Sequence, residues 1–332
     1  MKHVVVRNSL LNGWEYGMLR SFEAAIVTET DATIVDIPHY RFGKKYMHYF
    51  EQGLKRATYR QHFPKQVLDL KADVAWCILM GPENYRLDLY KGWDKGCKTR
   101  ILYIYDTLPS QYAAIERLFS NQTWDILITS FNDAAADLEK LTGRKWHCIE
   151  QAADAELFQP VPLNERIIHF SSYGRRYPVL HQVVKDFCKA NHLYYDYTTH
   201  DARHPVVDAT ELYQQYAWHL CHSVFTLSWP VELTNPARAG HLRPITCRWF
   251  EGAAAGTVIL GRQPDNAAFK EWLGENVVID IDPNAGGQEL YRRIEKVWTN
   301  RESLLNNAAL LAAARKADWT WNERVKRILS WL

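Results

Sequence analysis

The sequence predicts an α/β protein of two Rossmann-like domains, each a doubly wound parallel sheet with helices on both faces. Three observations predict it. Short apolar runs alternate with longer amphipathic stretches along all 332 residues, as parallel sheets covered on both sides require. The alternation starts afresh after Gln159-Pro-Val-Pro162, which reads as a linker rather than a loop within one large sheet. The length suits two domains of ordinary size.

In the first half, strands are expected at 3–7, where Val4-Val5-Val6 forms the run, and at 33–37, 73–80, 100–105, 125–129 and 145–149. Helical spacing of apolar residues places helices at 15–27, 44–60, 110–119 and 132–142. In the second half, strands fit 166–171, 193–197, 223–228, 257–260 and 277–281. Helices fit 176–190, 209–220, 247–255, 266–273, 286–299, 301–316 and 319–331. The expected domains are 1–155 and 156–317, with 318–332 as a closing helix. Ligands of such sheets sit beyond the carboxyl ends of the strands, where the strand order reverses. With two domains, those ends are expected to face each other across a cleft, and the residues that follow each strand become the candidates.

Composition narrows the class. A hydrophobic fraction of 47% supports real cores, and a charged fraction of 23% is that of a folded protein. The net charge of +2 gives no general pull toward nucleic acid or membrane. The chain holds 13 Trp, 18 Tyr and 12 Phe, and flat aromatic faces suit sugar C–H surfaces as well as cores. Its 6 Cys include no Cys-x-x-Cys pair, so buried, reduced thiols are expected rather than a zinc knuckle or redox motif. The amino terminus lacks the pattern of a signal peptide, and no long apolar run is present. The expected location is cytoplasmic, with peripheral contact at the inner face of the membrane left open.

The most informative stretch is 243–261, from Arg243 through Thr246, Arg248, Glu251, Gly252 and Gly256 to Gly261. It reads as loop, short helix, tight turn and buried strand. Thr246 is placed to cap the helix and Gly256 to end it. Arg248 and Glu251 are three apart in the first turn and share a face. A helix amino terminus with a cation and a carboxylate suits a phosphorylated ribose: dipole and guanidinium favour phosphate, and the carboxylate can accept from ribose hydroxyls. A capped helix with a surface ion pair is the other reading of the same residues.

The run Arg248-x-Phe-Glu-Gly-x-Ala-x-Gly-x-Val-x-Leu260 resembles the donor-site segment of GT-B glycosyltransferases of the group 1/family 4 type, nearest their CgeB-like branch. Other pieces match in order. Ala153-Asp-Ala-Glu-Leu-Phe-Gln-Pro160 resembles the opening of the interdomain linker, and His169-Phe-Ser-Ser-Tyr-Gly-Arg-Arg176 the first strand and phosphate-facing loop of the donor domain. Asp318-Trp-Thr-Trp-Asn-Glu-Arg-Val325 resembles the helix that crosses back to the first domain. The resemblance implies a nucleotide-sugar donor, UDP- or GDP-type, bound by the second domain, an acceptor bound by the first, and no metal. It departs from the pattern at one place. The first of the family's two glutamates would fall at position 243, which is Arg243, so retaining stereochemistry does not carry over.

The residues behind the other strands complete the candidate set. Gly13, Trp14 and Glu15 follow the first strand; the glycine permits a sharp turn and the indole offers a sugar platform. Asp106 follows strand 100–105 and can serve as general base toward an acceptor hydroxyl, as can Glu15 or His39; a turn aspartate before Pro109 is the plainer reading of Asp106. Gly174, Arg175 and Arg176 follow strand 166–171 and suit a diphosphate, on which charge grows as it leaves. By fold analogy His200 lies where a nucleobase is met. His200 with His204, and His219 with Cys221 and His222, have metal-ligand spacing, but the contexts are a loop and a helix end, and no metal is expected.

Residues 39–66 interleave Arg41, Lys44, Lys45, Lys55, Arg56, Arg60 and Lys65 with tyrosines and phenylalanines. The pattern suits an anionic acceptor: a lipid-linked or polysaccharide glycan first, a small molecule next, modified nucleic acid last. An amphipathic helix with a solvated basic face is the alternative. The expected activity is sugar transfer from a nucleotide sugar. The rivals are a nucleotide-sugar epimerase of the same architecture and a non-catalytic nucleotide-sugar-binding partner.

Overall fold

Val4, Val5 and Val6 are buried on both sides in β1 (His3–Arg7), as an unbroken apolar run in a parallel sheet should be. The computed structural model describes residues 1–8, 16–37, 53, 66–85, 87, 90–120, 124–154, 156–198 and 208–332. They form two compact units, one within Met1–Asn12 and Glu23–Ile149, the other within Gly13–Phe22 and Glu150–Leu332. The division falls inside helix α1 (Gly17–Thr30), after Phe22.

The first unit is a parallel sheet. After β1 and α1 come β2 (Thr33–Asp36) and the two-residue β3 (Gln66–Val67). Next are β4 (Ala72–Leu79), β5 (Tyr90–Lys91) and β6 (Cys97–Ile104). Helix α2 (Tyr112–Phe119), β7 (Ile126–Thr129), α3 (Ala135–Thr142) and β8 (Trp146–Cys148) complete it. The strand order is β2-β1-β4-β6-β7-β8, with Val5 opposite Ile34 on one side and Trp76 on the other. β3 and β5 form a separate pair that sequence periodicity does not show, because two residues carry no period. α3 ends at Gly143 with φ of 65°, a left-handed position that glycine fills without a Cβ clash. The expected helix 44–60 falls, apart from residue 53, outside the described residues.

The second unit repeats the plan: β9 (Ile168–Ser172), α4 (Pro178–Ala190), β10 (Tyr195–Tyr197), α5 (Ala209–Cys221) and β11 (Ser223–Ser228). Two one-turn helices follow, α6 (Val231–Thr234) and α7 (Pro236–Ala239), in a stretch to which the sequence assigns no element. Then come α8 (Cys247–Ala254), β12 (Val258–Gly261), α9 (Ala267–Leu273) and β13 (Val278–Asp280). Three helices close the chain: α10 (Gly287–Thr299), α11 (Arg301–Arg315) and α12 (Trp321–Leu329). The strand order is β10-β9-β11-β12-β13, all parallel. The chain leaves β9 for one side and later passes to the other, so the order reverses at β9 and β11. Successive residues of β12 face opposite layers. Val258 and Leu260 join Phe170, Leu180, Val184, Leu290 and Ile294 in one core, whereas Ile259 joins Tyr213, Trp249, Phe250, Phe269 and Trp319 in the other.

Local chemistry sets the helix ends of this unit. Pro178 starts α4. The Asp208 carboxylate accepts from Thr210 N and Glu211 N at the start of α5. Asn266 and Thr320 cap α9 and α12 in the same way. At the closing end, Trp319 Nε1 donates to Trp272 O at 2.7 Å, and Trp321 stacks on Phe22 with centroids 4.5 Å apart. Arg324 is buried, donates to Glu150 O and Asp318 O, and lies 4.1 Å over the Trp272 ring.

Candidate functional site

The site grows from the carboxyl ends of β9 and β10. Past β9 the chain turns at Gly174, whose φ of +85° glycine tolerates. A Cβ there would lie 2.4 Å from both terminal nitrogens of Arg248, so the missing side chain is the room the guanidinium occupies. Arg248 donates to Tyr173 O, and Gly174 N donates to Thr198 Oγ1 at 3.1 Å. The first turn of α8 is thus joined to the two loops that follow β9 and β10.

The amino terminus of α8 is held differently from the sequence reading. Thr246 is the N-cap residue by position, but its side chain makes no capping bond. Instead the buried Gln151 accepts from Cys247 N at 2.7 Å. A long amide from the same unit, 96 residues earlier in the chain, satisfies an orphan N–H that the local hydroxyl leaves open.

One turn on, Glu251 is 1% exposed and carries two hydrogen bonds. Oε1 accepts from Tyr213 OH at 2.6 Å and Oε2 from Tyr216 OH at 2.9 Å. Both phenols come from one face of α5, and Phe158 braces them edge-on with ring centroids 5.6 and 5.9 Å away. Phe158 is set by a turn in which Asp154 Oδ1 accepts from Glu156 N and Leu157 N. The Asp-x-x-x-Phe-x-Pro stretch therefore wedges the tyrosines that hold Glu251.

Burial pushes the Glu251 carboxyl pKa above its usual 4.5, against the opposing hydrogen bonds of both tyrosines and the charge of Arg248. Burial, reinforced by the Glu251 carboxyl, likewise raises both phenols well above 10.0. The consequence for stability has a definite sign. Between 4.5 and the raised native value, the folded protein keeps a proton that the unfolded chain has released. That contribution is complete below the unfolded value and is lost as pH rises through the native one. Glu251→Gln removes the titration, so unfolding by urea is expected to favour the variant over wild type more at about pH 8 than at about pH 5. An equal difference at both would refute the burial argument.

These residues line a cavity of about 560 Å³. Its walls are Met18, Tyr173, Gly174, the end of β10 through Thr198, the inner face of α5 and the first turn of α8. On the wall formed by β10 and α5, Asp196 Oδ2 accepts from Tyr173 OH at 2.7 Å and pairs with His219 Nδ1 at 2.5 Å. Tyr173 meets Tyr216 edge-to-face at 5.1 Å, which links this pair to the Glu251 clamp. A polar cradle in an aromatic-lined cavity of this size is the form of a small-molecule site.

The candidates from sequence distribute unevenly. Arg248 and Glu251 line the cavity together. Arg176 donates to Thr198 O at 2.6 Å and lies 5.3 Å from the Tyr197 ring centroid, beside the cavity rather than among its lining residues. Arg175 is exposed just past the β9 turn. Arg243 donates back to Gly240 O and Leu242 O, within its own loop. Asp106 follows β6 in the first unit, where its N–H donates to Met80 O at 2.7 Å. Gly13, Trp14, Glu15, His39, Lys44, Lys45 and His200 lie outside the described residues.

His219, Cys221 and His222 do not converge: Cys221 Sγ approaches Leu157 O, and His222 stacks on Trp218 with centroids 4.1 Å apart. Among the described residues no group of three or more His, Cys, Asp or Glu is arranged to hold a metal, and no helix is long and apolar enough to cross a membrane. Asp196, Tyr213, Tyr216 and Gln151 were not singled out in the sequence. The first pairs across the fold, and the last acts 96 residues away from its target.

No family model matches the chain, and no curated protein matches it in sequence. Solved structures match over its full length. One is HepE of Anabaena, solved in complex with UDP-glucose, at 10% identity, 100% of each chain covered and a TM-score of 0.53. Another is UDP-GlcNAc 2-epimerase of Neisseria meningitidis, solved bound to UDP-GlcNAc, at 10% identity, 99% of each chain covered and a TM-score of 0.53. The likeness is one of fold: two Rossmann-like α/β domains of the GT-B type.

Proposed function

We propose that the cavity of the second unit binds the nucleoside diphosphate part of an activated sugar, and that the protein transfers that sugar to an acceptor. The observation that carries the reading is the joining of Arg248 and Glu251 in one cavity beside a glycine turn that follows a strand. The fold is one in which solved relatives hold UDP-glucose and UDP-GlcNAc.

In this reading Arg248, with Arg175 and Arg176 nearby, bears the negative charge that grows on the leaving diphosphate. Glu251 accepts from a ribose hydroxyl through lone pairs the tyrosines leave open. The acceptor hydroxyl loses its proton to a carboxylate or imidazole of the first domain, for which Asp106, Glu15 and His39 are the candidates. The sugar's anomeric bond to phosphate breaks as its bond to the acceptor oxygen forms. Gly13 and Trp14 would line the acceptor side. Lys44 and Lys45 would draw an anionic or lipid-linked glycan there. The group 1/family 4 affiliation and the domain limits near 155 and 317 belong to this same reading.

Epimerisation of the nucleotide sugar is the second reading, favoured by the full-length match to the Neisseria 2-epimerase. One experiment separates the two. Purified protein is incubated with UDP-glucose or UDP-GlcNAc, with and without glycan acceptors, and followed by NMR. Transfer releases UDP in step with a new glycoside only when acceptor is present. Epimerisation changes the sugar without acceptor. Failure of UDP, GDP and their sugars to bind at about millimolar concentration, a weak limit for such a site, would overturn both.

A further inference from the structure

The Asp196–His219 pair lines the cavity but has no part in the grip on phosphate or ribose. Its chemistry is constrained. A carboxylate can only accept, so His219 Nδ1 carries the hydrogen of its bond to Asp196 Oδ2. Tyr173 OH donates to the same oxygen, which locks the carboxylate in place. In the tautomer that this bond fixes, Nε2 is the acceptor. The His219 side chain is 39% exposed and Asp196 19%, so the ring edge is reachable while its partner is held inside. Gln215 lines the same cavity and can donate or accept. Orienting one imidazole nitrogen through a carboxylate on the other is how a protein fixes which hydrogen bond a histidine offers.

We propose that His219, positioned by Asp196, reads the nucleobase and selects bases that present a ring N–H, such as uracil and guanine, over bases that present a bare ring nitrogen, such as cytosine and adenine. The proposal rests on the reading of this cavity as a nucleotide site and adds the base class to it. A ring N–H donates to Nε2. A bare ring nitrogen meets it lone pair to lone pair and leaves the imidazole unsatisfied. Sites built around one polar contact reject the analogue that lacks it, because their own group is left without a partner.

The test is the affinity of UDP against CDP, measured by calorimetry at neutral pH on wild type, His219→Ala and Asp196→Asn. Wild type is expected to bind UDP at least about tenfold more tightly than CDP. His219→Ala is expected to bring the ratio to within about twofold by removing the reader. Asp196→Asn is expected to shrink the ratio as well, since an amide no longer dictates the imidazole tautomer. His219→Gln, which keeps an acceptor, is expected to retain part of the preference and stands in if the alanine variant fails to fold.

Equal binding of UDP and CDP by wild type overturns the base assignment and leaves the nucleotide site standing. A preference that survives His219→Ala overturns the assignment to His219. Absence of any nucleotide binding overturns this proposal together with the reading it rests on.

Discussion

Arg248→Ala is expected to weaken UDP binding by about 100-fold while leaving uridine within about twofold. Removing one partner of a desolvated charge pair costs about 2–5 kcal/mol, and about 1.4 kcal/mol is a factor of ten. The partly open position of Arg248 places it toward the lower part of that range. The comparison with uridine matters because Arg248 has a second task. Its guanidinium donates to Tyr173 O and fills the space over Gly174, so removing it also loosens the loop after β9. Loosening alone weakens nucleoside and nucleotide alike, whereas a lost phosphate contact weakens only the nucleotide. Calorimetry with both ligands separates the two causes. A UDP affinity unchanged by the substitution, or equal losses for uridine and UDP, would end the assignment of Arg248 to phosphate.

Much of this arrangement is readable from sequence, and the rest is not, for physical reasons. Both sheets are visible because parallel strands covered on two faces are nearly continuous apolar runs: Val-Val-Val in β1 and Val-Ile-Leu in β12 announce themselves. Arg248 and Glu251 are found together because three-residue spacing within one helix fixes a shared face. Their neighbour Arg243 is not brought to them, since its side chain satisfies the carbonyls of its own turn, and composition does not reveal which way a loop arginine points. Thr246 looks like a capping residue, but the cap is Gln151, and nothing local encodes a donor–acceptor match across so much chain. The tyrosine clamp carries a sequence signal of its own: Tyr213, Tyr216 and His219 recur every third residue along α5 and therefore share the face that lines the cavity. That repeat reads as core until Glu251 and Asp196 are known to lie opposite.

The largest effect on stability is expected at Arg166, which touches no part of the cavity. The side chain is 6% exposed and is surrounded by main-chain acceptors. Nε donates to Val161 O at 3.1 Å, Nη1 to Ser223 O and to Thr257 Oγ1 at 3.1 Å, and Nη2 to Ala255 O and Gly256 O, both at 3.0 Å. Burial lowers its pKa to about 10, which leaves it charged at neutral pH. The acceptors explain why a charge is kept there. Ala255 and Gly256 follow α8, where carbonyls lack helical partners and the helix dipole favours a cation. Gly256 turns the chain at φ of +60° toward β12, which leaves no continuing helix to supply donors. Arg166→Ala strands these carbonyls in the interior at about 1–3 kcal/mol for each group that water fails to reach. A total of about 4 kcal/mol is expected, lowering the melting temperature by roughly 10 °C for a unit of this size. Arg166→Lys is expected to recover less than half, because one ammonium does not reproduce a planar fork. Below the lowered transition, UDP affinity is expected to stay within about twofold of wild type, since neither Arg166 nor the carbonyls it holds line the cavity. Thermal unfolding followed by circular dichroism, with calorimetry on the folded variant, reads both quantities. A melting temperature within about 2 °C of wild type would show that water replaces the guanidinium and that these carbonyls do not depend on it.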